Sequence, residues 1–127
     1  MKKFIFIIPI IFILSCTPPI TTDDLIIKNP TASVVVTSVD QTYYPSLDEY
    51  SNYVTVNYSI TNTGNCLIDY YKVNFTIICL GAPVTFKDWD NGTNVGIGQT
   101  VTDYAYIYVG GYPYYGNVIG NIELTSY

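Results

Sequence analysis

The chain has no histidine and no arginine, and only 12% of its 127 residues are charged. Ordinary soluble domains carry about 25%. Without histidine it lacks the commonest general base and the commonest protein metal ligand. With 10 acidic side chains against 5 lysines, it is a poor match to phosphate backbones, which argues against a nucleic-acid partner. Leu, Ala and Glu are few, and with them the strongest helix formers. No stretch reaches the roughly 20 apolar residues of a spanning helix. What is present is Val, Ile, Thr, Asn and 14 Tyr, a β-strand composition.

The first residues differ from the rest. Met1, Lys2 and Lys3 precede an uncharged run over residues 4–14, after which the composition changes abruptly to Thr17, Pro18 and Pro19. A basic start, a short apolar run and a small residue before a cut make a secretory signal. Pro9 in mid-run argues against a core helix. Ile13, Leu14, Ser15 and Cys16 resemble the lipobox of bacterial lipoproteins. That resemblance implies cleavage before Cys16, a diacylglycerol thioether on its sulfur and an extracytoplasmic, lipid-anchored location in the cell envelope.

Three segments are therefore expected. Residues 1–15 form a signal peptide, helical in the precursor. Residues 16–31 hold the lipidated Cys16 and a tether marked by Pro18, Pro19 and Asn29-Pro30. Residues 32–127 form one domain, a length that suits a single core. Loss of the leader leaves Lys28, Lys72 and Lys87 against 10 carboxylates, a net charge near −7. An anionic bilayer repels such a domain, so membrane attachment must come from lipid.

Along the domain, alternation is the main signal. Over 53–61, Val54, Val56, Tyr58 and Ile60 alternate with Thr55, Asn57 and Ser59, the period of a half-buried strand. Asn62, Thr63, Gly64 and Asn65 then turn the chain. Over 69–80, Val73, Phe75, Ile77 and Cys79 share one face. Over 100–109, Ala105, Ile107 and Val109 oppose Tyr104, Tyr106 and Tyr108. Further strands are expected at 33–39, 84–89 and 117–125, with a long connection over 40–52. A turn is expected at Asp90, Asn91 and Gly92, and a loop over 110–116. Strands at this spacing predict an all-β fold, a single antiparallel β-sandwich. The expected core is Val54, Val56, Tyr58, Ile60, Val73, Phe75, Ile77, Ala105, Ile107, Val118 and Leu124. Cys66 precedes a strand and Cys79 nears its end, too far apart for a disulfide, so two free thiols are expected.

The stretch from Val54 to the Asn62, Thr63, Gly64, Asn65 turn is similar to the opening of small bacterial immunoglobulin-like modules, the FxLyD-like and CARDB-like domains. The similarity extends through a second long strand and a Gly98, Gln99, Thr100 lead into a late strand, covering about residues 53–109. It implies an immunoglobulin-like sandwich engaged in extracytoplasmic interaction, with no catalytic residues to carry over.

No catalytic, metal-binding or cofactor-binding constellation is apparent, and no enzyme activity is expected. The oxygen-rich run Asp88, Asp90, Asn91, Thr93 and Asn94 departs from the EF-hand pattern, which needs a sixth-position glycine and a twelfth-position glutamate. Adjacent Asp48 and Glu49 do not define a pair across a cleft. Tyrosine is the informative excess. Tyr104, Tyr106 and Tyr108 are expected on an outer sheet face, because buried tyrosine must find a partner for its hydroxyl. Their plain alternative is packing against residues such as Tyr70. Tyr112, Tyr114 and Tyr115 crowd a glycine-bounded loop, a common place for recognition. Both sets are candidate binding residues, for an envelope protein or, alternatively, a glycan such as peptidoglycan.

Overall fold

The structure, a computed structural model, describes residues 27–125. The predicted signal helix, Cys16 and the tether up to residue 26 lie outside the described residues. The rest is all-β and antiparallel, in two three-stranded sheets that form a sandwich. One sheet is ordered β1 (Ala32–Asp40), β4 (Tyr53–Asn62), β7 (Thr100–Tyr108). The other is ordered β6 (Phe86–Val95), β5 (Ile68–Cys79), β8 (Tyr114–Thr125). A small hairpin of β2 (Tyr43–Tyr44) and β3 (Glu49–Tyr50) stands apart from both.

The core lies between the inner faces of the two sheets. Val54, Val56, Tyr58 and Ile60 from β4 meet Tyr71, Val73, Phe75 and Ile77 from β5, all buried. Ala105, Ile107 and Val109 close one side. The expected strand phase is therefore the observed one, with Val118 and Leu124 half-buried at the margin rather than fully enclosed. The aromatic contact across the layers is Tyr58 on Phe75, ring centroids 5.2 Å apart. Cys66 and Cys79 are free thiols.

One expectation is extended and two are corrected. The long connection over 40–52 contains two short strands of its own, the β2–β3 hairpin. Strand β8 starts at Tyr114 instead of 117, pairing Tyr114 with Cys79 past a bulge in β8, which spends four residues there against two of β5. The largest change is at Asp90, Asn91 and Gly92. They do not turn the chain: β6 runs unbroken through them, with Gly92 opposite Tyr71 and Asp90 opposite Val73. Glycine is needed there for its missing side chain. A Cβ at Gly92 would fall on the Tyr71 hydroxyl and ring. Asp90 points inward from the same strand and accepts a 2.7 Å hydrogen bond from the Tyr58 hydroxyl. Burial, and then this carboxylate, push the Tyr58 phenol far above its ordinary range, because its anion would lack water and face a like charge.

One end of the sandwich receives the incoming chain. Asn62 is buried there and uses its amide fully, donating to the Cys66 and Val95 carbonyls at 2.8 Å and accepting from Gly64 N–H at 2.9 Å. The turn it shapes grips the segment before β1. Thr63 and Gly64 donate backbone hydrogen bonds to the Thr31 carbonyl, and the Asn65 side chain bonds Asn29 N–H and the Ile27 carbonyl. A side chain at Gly64 would strike the Asn29 carbonyl. The hairpin and the 110–113 turn occupy the opposite end, roughly 30 Å away along ten-residue β4.

Candidate functional site

The tyrosine row of β7 is built by simple alternation. Inward Ala105, Ile107 and Val109 fix the strand's phase, and Tyr104, Tyr106 and Tyr108 are then 52%, 63% and 56% exposed on the outer face. Their neighbours are on β4, not the expected Tyr70, which belongs to β5 of the other sheet. Tyr53 meets Tyr108 edge-on at 5.4 Å, and Tyr104 meets Tyr106 edge-on at 5.3 Å. Such pairs are favoured by the ring quadrupoles and hold the rings without burying them. Beside them runs a polar strip in which Asn57 donates to Ser38 at 2.9 Å and to Asp40 at 3.3 Å. The face therefore offers broad aromatic area next to fixed hydrogen-bonding groups and a carboxylate.

The second predicted set does not act as one cluster. Tyr112 lies against Phe86, centroids 6.1 Å apart. Tyr114 is half-buried, its hydroxyl donating to the Gly116 carbonyl. Burial, then the neighbouring Cys79, raise its phenol pKa. Only Tyr115 projects freely, at 80% exposed. The turn is held by Gln41, whose amide donates to the carbonyls of Ser51 and Tyr112 at 2.8 and 3.0 Å and accepts from Tyr114 N–H at 2.6 Å.

Two groups of surface residues escaped the sequence reading. The β2–β3 hairpin brings Tyr43 and Tyr50 to 4.9 Å, with Tyr44 and Leu47 exposed beside them. The Tyr43 hydroxyl donates to Asp48 at 2.6 Å, and that carboxylate raises the Tyr43 pKa. The hairpin thus adds a second aromatic group at the end remote from the incoming chain. Trp89 is the other omission. It sits in β6 on the outer face of the second sheet, 53% exposed. A tryptophan between Lys87, Asp88 and Asp90, with no apolar alternation, was the available signal: such a setting marks an exposed indole. The run from Asp88 to Asn94 alternates across a strand instead of converging as a cation loop.

No protein-family model, no curated protein and no solved structure matches the chain.

Proposed function

We propose that this protein is a non-catalytic bacterial lipoprotein, anchored through lipid on Cys16, that displays a binding module in the extracytoplasmic cell envelope. Its tyrosine surface engages an envelope protein. The observation that carries this reading is the polarity of the module. The chain joins the sandwich at the Asn62–Asn65 end, and the aromatic hairpin lies at the other. A membrane anchor on the incoming segment leaves the tyrosine surface pointing away from the bilayer. Tyr104, Tyr106, Tyr108 and Tyr53, with Tyr112 and Tyr115 near the far end, supply rigid contact area with polar tips, the usual chemistry of recognition surfaces. A glycan is the alternative partner, and the side chains that favour one lie on the other sheet.

Two measurements test the proposal. Cys16→Ala is expected to abolish incorporation of a labelled fatty acid and release the protein from membranes; unchanged labelling overturns the anchor. Replacing Tyr104, Tyr106 and Tyr108 together by Ser is expected to remove a protein adduct captured by in-cell crosslinking while the melting temperature stays within a few degrees. An adduct of undiminished yield places recognition elsewhere.

A further inference from the structure

We infer that the outer face of the β6-β5-β8 sheet is a binding site for a neutral polysaccharide, with the Trp89 indole as its platform. The site is a row across three strands. Trp89 of β6 lies opposite Asn74 of β5, and Asn74 lies opposite Asn121 of β8. At strand spacings of about 4.8 Å the row spans roughly 10 Å, about a disaccharide's width. Glu123, one row along, accepts a 2.8 Å hydrogen bond from the Asn74 amide, which fixes that amide's orientation. A shallow depression runs over these residues and Thr76.

The chemistry matches a sugar ring better than other occupants. A pyranose has a C–H face and an edge of vicinal hydroxyls. The C–H hydrogens carry partial positive charge and suit the negative face of an indole. The Lys72 ammonium now lies over that ring, 5.1 Å from its centroid, so the π-face is already presented to a positive pole. A long, rotatable lysine stem gives up that position at little cost and then offers its ammonium to a hydroxyl. Asn74 and Asn121 each supply a donor and an acceptor on one planar group, the pairing that adjacent hydroxyls require.

Charge selects neutral glycans. Lys72 and Lys87 on this face are offset by Asp88 and Glu123, and the domain as a whole is acidic, so an anionic chain gains nothing by docking. A protein hot spot sits in a desolvated, mostly apolar surround, whereas this indole is ringed by amides, carboxylates and lysine.

Trp89 is the only tryptophan, so its fluorescence reports this site alone. The test uses the full lipidated chain in a detergent without a sugar headgroup, titrated with cellohexaose, chitohexaose and mannohexaose to about 10 mM. At least one is expected to give a saturable change in intensity or wavelength. By calorimetry, Trp89→Ala is expected to abolish that binding, and Asn121→Ala to weaken it about tenfold, the loss of one hydrogen bond. Circular dichroism confirms that both variants are folded. Absence of a saturable change with all three sugars overturns the inference. So does affinity unaltered in both folded variants, or binding restricted to an anionic polymer such as polygalacturonate.

Discussion

Strands β4 and β6 are both ten residues long, yet they follow different rules. Strand β4 is central in its sheet, and its inward positions are Val54, Val56, Tyr58 and Ile60, each at most 1% exposed. Strand β6 is an edge; its inward positions are part-buried Phe86, Asp90 and Gly92 and buried Val95, with Asp88 exposed at the rim. In the centre, water exclusion dictates each inward residue. At the edge, a neighbour's need dictates it: Asp90 receives the Tyr58 hydroxyl, and Gly92 makes room for Tyr71. An inward acid such as Asp90 also blunts the edge against pairing with another chain. Apolar bulk enters at its two ends, Phe86 and Val95; between them the edge strand completes the core by accommodation.

The contrast can be broken most strongly from the central side. Phe75→Ala removes the ring packed on Tyr58 and is expected to cost about 3–5 kcal/mol in urea denaturation. Gly92→Val is next. It forces a branched side chain into the Tyr71 ring, with an expected loss of about 1–3 kcal/mol, while Thr93→Val, one position along, is nearly silent. Asp90→Ala strands the Tyr58 hydroxyl and is expected to cost about 1–2 kcal/mol. Adding Tyr58→Phe recovers part of that, so the two changes together cost less than their sum in a double-mutant cycle.

Alkali probes the same joint more gently. The phenols of buried Tyr58 and Tyr71 and of half-buried Tyr114 all have raised pKa values, chiefly from burial. The unfolded chain releases these protons near pH 10 while the fold retains them. Stability is therefore full below pH 10 and falls above it. Tyr58→Phe removes one contribution, and at half a pH unit above 10 the variant is expected to be less alkali-sensitive by roughly 1 kcal/mol. The smallest effects belong to outward positions of either strand: Thr55→Ala and Lys87→Thr are each expected to stay within about 0.5 kcal/mol.

The same distinction explains what could be read from the residues alone. Strands β4, β5 and β7 show through their alternation because an apolar core lies on one side of each. Strand β6 shows only in its first part, up to Trp89; its continuation is hidden because its inward residues serve individual partners, and Asn91-Gly92 carries the local chemistry of a turn without making one. The start of β8 is hidden too. Glycines and Pro113 suggest a loop through 116, but Tyr114 N–H is claimed by Gln41, 73 residues away, a partner that no local pattern reveals. The outward tyrosines of β7 followed once its inner face was assigned. The Tyr43–Tyr50 pair required the hairpin register, and the outward placement of Trp89 required the register of β6 on β5.

The grip of Thr63, Gly64 and Asn65 on the segment before β1 has a mechanical meaning. Tension between Ile27 and the β2–β3 hairpin runs along the length of β1, which joins the two ends of the sandwich. Hydrogen bonds in an antiparallel ladder lie across the strands, so such a pull loads the β1–β4 ladder in shear, many bonds at once, rather than peeling them singly. The bonds to Thr31 and Asn29 act as a strain relief ahead of that ladder. A module built this way resists being drawn out through the segment before β1.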